Sequence, residues 1–326
     1  MLRAHPGGTV SGTAGIGGRG EGIFSASAVE LMTRRNALSR TLLALAAPSV
    51  TGSMARGSNG GRLKAQLAEI DQRSGGRLGC AVLNTTTGVA VAHRGDERFP
   101  MCSTFKASAV AFVLQRVDRR TERLDRRIVF SERDILSHAP VTKLHVDGDG
   151  MSVADLCEAA ITQSDNTAAN LLLASFGGPG ALTNFWRSIG DAVTRLDRIE
   201  LELNEGKPGD ERDSTSPTAM LENLRKFVLG DVLLPPSREM LTRWLIANTT
   251  GDARLRAGMP RNWKIGDKTG TGGHQTSNDI AVIWPMHRKP FVVAAYLTQG
   301  RGSDEDRERV LADVGRAVAG EIGAGG

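Results

Sequence analysis

Patterns typical of β-strands occur near both ends of this 326-residue chain, and a long run of helical patterns lies between them. Short apolar runs at 79–84 and 88–93 flank Thr85-Thr86-Thr87 and predict a β-hairpin. Further strands are predicted at 264–269, 280–284 and 291–297. Strands from opposite ends of a chain can share one sheet when the middle folds as an insertion. The sequence therefore predicts a sheet built from both ends of the chain.

The residues between the two groups of strands have the apolar spacing of helices. They predict helices at 104–117, 153–161, 167–176, 178–189, 217–229 and 236–247. Leu63, Leu67 and Ile70 predict a helix before the first strand, and a last helix is expected at 304–319. The predicted fold is α/β (α+β): an antiparallel sheet flanked by N- and C-terminal helices, with an inserted all-helical domain.

Domain boundaries follow from these patterns. Residues 56–93 and 248–326 are predicted to form an α/β sandwich domain, and residues 94–247 an all-α domain. Clefts between domains are common places for active sites, so we expect the site between the two. Residues 1–55 are expected to be a disordered leader and an export signal.

The leader has the features of an export signal. Met32 is a possible translation start, Arg34 and Arg35 form an arginine pair, and a short apolar run precedes the small-residue site Ser53-Met54-Ala55. The apolar run is too short to span a membrane. We therefore expect export to the periplasm or the medium by the twin-arginine route.

Composition excludes several kinds of function. The formal net charge is +5, but only 4% of the residues are aromatic, so a nucleic-acid groove with stacking aromatics is not expected. The three cysteines have no C-x-x-C spacing and the six histidines form no H-E-x-x-H pattern. We expect no metal, no other cofactor and no disulfide, with Cys80, Cys102 and Cys157 as small buried side chains.

A serine and a lysine stand at the start of the first inserted helix. Ser103 and Lys106 are three residues apart, so helical spacing places their side chains on one face. A lysine with a lowered pKa can draw the proton from a serine hydroxyl and make it a nucleophile. The apolar residues at 107–114 predict a buried helix that would hold the pair rigidly.

Two later motifs carry groups suited to the same chemistry. In Ser164-Asp165-Asn166 the serine can relay a proton to a leaving nitrogen and the asparagine can orient Lys106, although the tripeptide is also a helix-cap pattern. In Lys268-Thr269-Gly270-Thr271-Gly272-Gly273 the glycines allow a ligand to approach a strand closely, and the lysine and threonines can donate to a carboxylate. The same run is also typical of a glycine-rich edge strand.

Together these motifs resemble the S-x-x-K, S-D-N and K-T-G set of the penicillin-recognising serine enzymes. A fourth stretch, from Arg198 through Glu200 to Asn204, looks like the E-x-x-L-N element of the omega loop of class A β-lactamases, and Arg198 and Asp213 match the pair that closes that loop. The resemblance covers nearly all of the chain after the leader. It implies a monomeric serine β-lactamase that acts on small-molecule β-lactams, without a nucleic-acid partner or a membrane span.

The resemblance implies a role for each catalytic residue. Ser103 would open the β-lactam ring, and Lys106 would be a proton acceptor hydrogen-bonded to it. Whether Lys106 is the acylation base, or Glu200 acting through a water, stays open. Glu200 and Asn204 would hold the deacylating water, and Ser164 would pass a proton to the lactam nitrogen.

The resemblance also implies an oxyanion hole and a substrate-binding surface. The backbone N–H groups of Ser103 and Thr271 would form the oxyanion hole. His138 stands where relatives have an aromatic residue that walls the cleft, and Arg254 matches an arginine that some relatives supply from the loop before the K-T-G strand. For Arg254 a solvated surface position is the alternative. The residues expected to bind substrate are Asn166, Lys268, Thr269, Gly270, Thr271, His138 and Arg254.

Two other functions share part of this pattern. A D,D-peptidase, or penicillin-binding protein, would keep Ser103, Lys106, Ser164, Asn166 and Lys268 but would lack the loop with Glu200. A non-catalytic β-lactam sensor would keep the nucleophile and is usually attached to membrane helices. The loop with Glu200 therefore favours the β-lactamase.

Overall fold

The computed structural model describes residues 58–324 of the chain. Its helices are α1 (Ser58–Ser74), α2 (Phe105–Asp118), α3 (Val153–Thr162), α4 (Asn166–Ser175), α5 (Gly178–Ser188), α6 (Pro217–Val228), α7 (Pro235–Ile246) and α8 (Asp304–Ala324). Its strands are β1 (Arg77–Asn84), β2 (Ala90–His93), β3 (Phe99–Pro100), β4 (Arg127–Ile128), β5 (Met151–Ser152), β6 (Ser214–Thr215), β7 (Lys264–Gly272), β8 (Thr276–Trp284) and β9 (Phe291–Thr298). The predicted leader, with its export signal and Met32, lies outside the described residues.

The main sheet is antiparallel and has five strands in the order β2-β1-β9-β8-β7. β1 pairs with β9 from Arg77 opposite Thr298 to Asn84 opposite Phe291. Strands from the two ends of the chain therefore share one sheet, as the sequence predicts. β7, which carries the K-T-G motif, forms one edge.

Both faces of the sheet are buried, and the strands alternate between two apolar clusters because successive side chains point to opposite faces. In β9, Val292, Ala294 and Tyr296 pack toward the helical insertion. Val293, Ala295 and Leu297 join a second cluster with α1 and α8. The sheet is therefore fixed from both sides, and so is the edge strand β7.

The helical insertion is arranged around α2. This helix packs against α3, α4, α5, α6 and α7, and most of its residues are buried. Side-chain caps set where neighbouring helices begin: Ser152 accepts from the N–H of Asp155 at α3, and Asp165 accepts from the N–H of Ala168 at α4. The burial of α2 holds the residues at its N-terminus in place.

Some boundaries differ from the sequence predictions. The strand predicted at 280–284 begins at Thr276, because the polar residues Thr276, Asn278 and Asp279 are buried and Asn278 donates to the carbonyl of Pro100. β7 continues to Gly272, and β2 begins at Ala90. The insertion also contains the short ladders β3–β6 and β4–β5, whose two-residue strands have no periodicity to recognise.

Within residues 58–324, no helix combines the length and the apolar character needed to cross a membrane. The division into an α/β domain and a helical domain stays a prediction, as does the monomeric state.

Candidate active site

The nucleophile candidate Ser103 lies in a tight 3₁₀ turn, Cys102–Thr104, that leads directly into α2. Cys102 has a φ of +45°, a left-handed conformation that costs about 1–3 kcal/mol in a non-glycine residue. The surrounding packing holds it there: Cys102 is buried, and a Cβ at Gly272 of β7 would lie 2.6 Å from its Sγ. The turn is thus clamped between α2 and the edge strand.

Lys106 is completely buried, and its ammonium group faces three near oxygens and, at 3.4 Å, the hydroxyl oxygen of Ser164. Nζ lies 2.8 Å from the Ser164 carbonyl, 2.6 Å from Asn166 Oδ1 and 3.0 Å from Glu200 Oε1. Burial lowers the pKa of Lys106, while the Glu200 carboxylate opposes that shift. Asn166 therefore orients Lys106, as the sequence suggests.

Glu200 links the lysine to the serine. Its Oε1 accepts a hydrogen bond from Ser103 Oγ at 3.4 Å, and its Oε2 accepts one from Asn204 Nδ2 at 2.5 Å. In the described part of the chain, Ser103 has no hydrogen bond to Lys106, contrary to expectation, and the partners of Lys106 Nζ are instead oxygens of Ser164, Asn166 and Glu200. The carboxylate, not the amine, is the direct partner of Ser103.

The loop that carries Glu200 is closed by the predicted ion pair. Arg198 Nε lies 2.6 Å from Asp213 Oδ2, and Asp213 Oδ1 accepts the backbone N–H groups of Asp197 and Arg198. The peptide bond from Glu200 to Leu201 is cis. Both carboxylate oxygens of the buried Asp213 are occupied, so the two ends of the loop are tied together.

The S-D-N motif is held by its middle residue. Asp165 is fully buried and accepts hydrogen bonds from the N–H groups of Val141, Thr142 and Ala168. This network fixes the adjacent Ser164, whose hydroxyl lies 3.0 Å from Lys268 Nζ. Asp165 thus holds the turn in place, and its neighbours Ser164 and Asn166 line the cleft.

Two cations lie at the K-T-G strand: Lys268, which belongs to it, and Arg254, which comes from the segment before it. Burial, reinforced by the charge of Lys106, lowers the pKa of Lys268 to about 7. Arg254 is only 7% exposed and donates to the carbonyls of Gly270 and Asn278 and to Thr271 Oγ1, each within 2.9 Å. Hydrogen bonds therefore hold Arg254 against β7 and β8, and the alternative of a solvated surface position is wrong.

These groups line one cleft of about 310 Å³, which contains most of the residues singled out by the sequence. His138 is exposed at its rim, where its Nε2 lies 3.0 Å from the Gln163 carbonyl. Lys106, Glu200 and Lys268 lie directly behind the lining, in contact with it. The residues that line the cleft are Ser103, His138, Ser164, Asn166, Asn204, Thr250, Arg254, Thr269, Gly270 and Thr271.

Two residues of the site were missed by the sequence analysis. Asn170 holds the backbone of Glu200: its Nδ2 donates to the Glu200 carbonyl at 2.8 Å, and its Oδ1 accepts the Glu200 N–H at 2.9 Å. Its position four residues after Asn166, on the same face of a mostly apolar helix, is a signal that could have identified it. Thr250 lines the cleft from the loop after α7, and no local pattern marks it.

Comparison with known proteins agrees with this geometry. The β-lactamase enzyme family matches residues 62–322. The chain is 51% identical to β-lactamase L2 of Stenotrophomonas maltophilia over 78% of its own length and 84% of the relative, and 46% identical to β-lactamase CTX-M-25 of Escherichia coli over 78% and 87%.

Solved structures give the same result. An ancestral class A β-lactamase matches with a TM-score of 0.78 and 63% identity, covering 79% of this chain and 99% of the other. A putative class A β-lactamase, PenP, from Rhodopseudomonas palustris matches with a TM-score of 0.79 and 58% identity, over 79% and 98%. With an antiparallel sheet, a helical insertion and the three motifs around one cleft, the chain belongs to the β-lactamase enzyme family, among the class A serine β-lactamases.

Proposed function

We propose that Ser103 carries out β-lactam hydrolysis in this class A enzyme through an acyl-enzyme intermediate. The observation that carries the proposal is the position of Glu200, whose Oε1 lies 3.4 Å from Ser103 Oγ and 3.0 Å from Lys106 Nζ. A carboxylate next to the nucleophile can serve as a base in both steps, formation and hydrolysis of the ester.

In acylation, Glu200 takes the proton of Ser103, directly or through a water. Lys106 Nζ donates to oxygens of Ser164, Asn166 and Glu200, and while it is charged it has no lone pair to accept another proton. Ser103 Oγ bonds to the lactam carbonyl carbon, and the ring opens as the C–N bond breaks. The nitrogen takes its proton from Ser164, whose hydroxyl oxygen also accepts a hydrogen bond from Lys268 Nζ. Lys106 gives a proton back to Ser164 across their 3.4 Å contact and takes from Glu200 the proton that came from Ser103, so Glu200 is again a carboxylate before deacylation.

In deacylation, Glu200 and Asn204 hold a water against the ester. Glu200 removes a proton from the water, the resulting hydroxide attacks the ester carbonyl, and Glu200 gives that proton to Ser103 Oγ as the C–O bond of the ester breaks. Asn204 supports this role because its amide donates to Glu200 Oε2 and directs that oxygen. This step separates a β-lactamase from a protein trapped as its acyl-enzyme.

The backbone N–H groups of Ser103 and Thr271 form the oxyanion hole, each donor being worth about 3–4 kcal/mol in comparable acyl-transfer enzymes. Close packing supports this assignment: a Cβ at Gly270 would lie 2.7 Å from the Met101 carbonyl and 3.2 Å from the Ser103 nitrogen. Glycine thus allows β7 to approach the nucleophile's turn.

The substrate carboxylate is bound at the C-terminal half of β7, next to the cations Lys268 and Arg254. Lys268, Thr269, Gly270, Thr271 and Arg254 form this part of the cleft wall or lie directly behind it. Asn166 is positioned to meet the amide side chain of a substrate, and His138 walls the opposite rim.

The experiment that tests this function is replacement of Ser103. Ser103→Ala is expected to abolish turnover of a chromogenic cephalosporin, because the acyl-enzyme can no longer form. Ser108→Ala is the matched control: Ser108 is buried in the same helix, and its hydroxyl has no partner among the described residues. Full activity in Ser103→Ala would refute the mechanism. A D,D-peptidase would instead form a long-lived acyl-enzyme with wild-type protein.

We also propose that the enzyme is exported, with cleavage near Ala55 after passage by the twin-arginine route. The proposal rests on the arginine pair and the small-residue site of the leader. N-terminal sequencing of the exported protein should begin near Arg56, and a start well upstream of Met32 would contradict it.

A further inference from the structure

A chain of hydrogen bonds runs from the buried Asp267 to the cleft residue Thr269. Asp267 Oδ2 lies 2.8 Å from Asn248 Nδ2, Asn248 Oδ1 lies 2.9 Å from Thr250 Oγ1, and Thr250 Oγ1 lies 2.5 Å from Thr269 Oγ1. Asp267 and Asn248 are both buried, so their partners are fixed by the protein. Thr250 is the link between this interior network and the cleft.

The direction of each hydrogen bond can be assigned from the two ends. Asp267 is paired with the guanidinium of Arg256 at 2.5 Å and, as a carboxylate, can only accept. The Asn248 amide therefore turns its NH₂ group toward Asp267 and its oxygen toward Thr250. The backbone N–H of Thr250, which can only donate, lies 3.2 Å from that same oxygen and gives the same orientation independently.

This orientation determines the protons of both threonines. A hydroxyl has one proton, and that of Thr250 is directed to the Asn248 oxygen. At the contact between the two hydroxyls, Thr250 must accept and Thr269 must donate. The Thr269 proton is therefore held in a hydrogen bond to Thr250 along the cleft wall, and until that bond breaks the side chain offers a substrate anion only lone pairs.

Thr271, two residues further along β7, has the opposite arrangement. Its Oγ1 accepts from Arg254 at 2.7 Å, and among residues 58–324 no acceptor is found for its proton. Thr271 is also exposed, whereas Thr269 is only 4% exposed. The Thr271 hydroxyl is thus free to donate into the cleft while its oxygen is held by a cation.

We propose that Thr250 is a positioning residue that holds the Thr269 hydroxyl proton in a hydrogen bond, so that a β-lactam carboxylate is recognised first by Thr271. Thr269 can donate to the carboxylate only after it gives up its bond to Thr250. The inference rests on the proposed function and deepens it, because it assigns different roles to two threonines that the motif treats alike.

The test is a binding measurement with benzylpenicillin on proteins that also carry Ser103→Ala, so that no ester forms. Thr250→Val removes the acceptor of the Thr269 proton, and the dissociation constant is expected to fall by roughly threefold to tenfold, the factor for one neutral hydrogen bond. Thr250→Ser keeps the hydroxyl and is expected to restore the parent value. An unchanged or higher dissociation constant for Thr250→Val would overturn the inference.

Two comparisons show that the effect belongs to the carboxylate. The methyl ester of benzylpenicillin lacks the anionic group, so Thr250→Val should change its affinity less than that of the acid. Thr271→Val should weaken binding of the acid more than Thr269→Val does, and the reverse order would also overturn the inference. If the Ser103→Ala parent bound no benzylpenicillin at all, the proposed function itself would fall.

Discussion

Replacing Glu200 by Gln removes one charge from the centre of the site and keeps its shape. Glu200 is 3% exposed, and its two oxygens contact Ser103, Lys106 and Asn204. The new NH₂ group can be accommodated, because Asn204 Oδ1 is buried and has no partner in the described part of the chain. Rotation of the Asn204 amide would let that oxygen accept it.

Two effects of different size are expected. Loss of the general base should slow hydrolysis of the acyl-enzyme by about 10²–10⁴-fold. Loss of the charge partner of the fully buried Lys106 should reduce the free energy of unfolding by about 3 kcal/mol, near the lower end for a broken buried pair. The lower end applies because Lys106 keeps the Ser164 carbonyl and Asn166 as hydrogen-bond partners.

The assay is intact-protein mass spectrometry after mixing with benzylpenicillin, together with stopped-flow measurement of turnover. Loss of the Glu200 charge removes an interaction that raises the pKa of Lys106, so a neutral Lys106 can take the proton of Ser103 and acylation continues slowly. Because hydrolysis of the ester is slowed more, Glu200→Gln should accumulate a protein whose mass is raised by one substrate. Glu202→Gln makes the same chemical change at an exposed residue of the same loop and should turn over like wild type. Steady turnover by Glu200→Gln at the wild-type rate, with no adduct, would refute the assignment of the base.

Three further predictions follow from burial and charge. Because the pKa of Lys268 is lowered to about 7, the cation is lost as pH rises through that value, and KM for carboxylated substrates should rise above pH 7 but stay flat in Lys268→Arg. Asp213→Ala should lower the free energy of unfolding in urea by about 3 kcal/mol, since it leaves the Nε of Arg198 and two backbone N–H groups without an acceptor. The three cysteines are buried, and burial raises the pKa of each, so an aromatic disulfide reagent should react with them only in denaturant.

The fold could be predicted from the sequence wherever apolar residues repeat. Every long helix and every strand of the main sheet is present near its predicted position. A helix or strand that packs against other layers of the protein needs apolar residues at its buried positions, and these repeat with the period of the helix or strand. The prediction is wrong at the start of β8, where Thr276 to Asp279 are polar and read as a loop. Their burial depends on partners elsewhere in the chain, such as Thr298 opposite Thr276, which no local pattern contains.

The motifs identified most of the side chains of the site, but they could not predict the hydrogen bonds among them. Ser103 contacts Glu200 instead of Lys106. This arrangement depends on the oxygens around Lys106 Nζ, which separate segments of the chain contribute. The role of Thr250 depends on an amide orientation set from Asp267, in a strand that follows it in the sequence. Such connections are properties of the packed chain, and spacing alone cannot predict them.

The pairing of β1 with β9 also sets the order in which the molecule can be completed. β1 is made long before the strand that covers its second edge, because the helical insertion, β7 and β8 come between them in the chain. Until β9 is made, the hairpin of β1 and β2 has an open edge, and the cluster between α1 and α8 lacks one of its walls. The sheet, and with it the K-T-G side of the cleft, can therefore be completed only after the helical insertion and β9 have been synthesised.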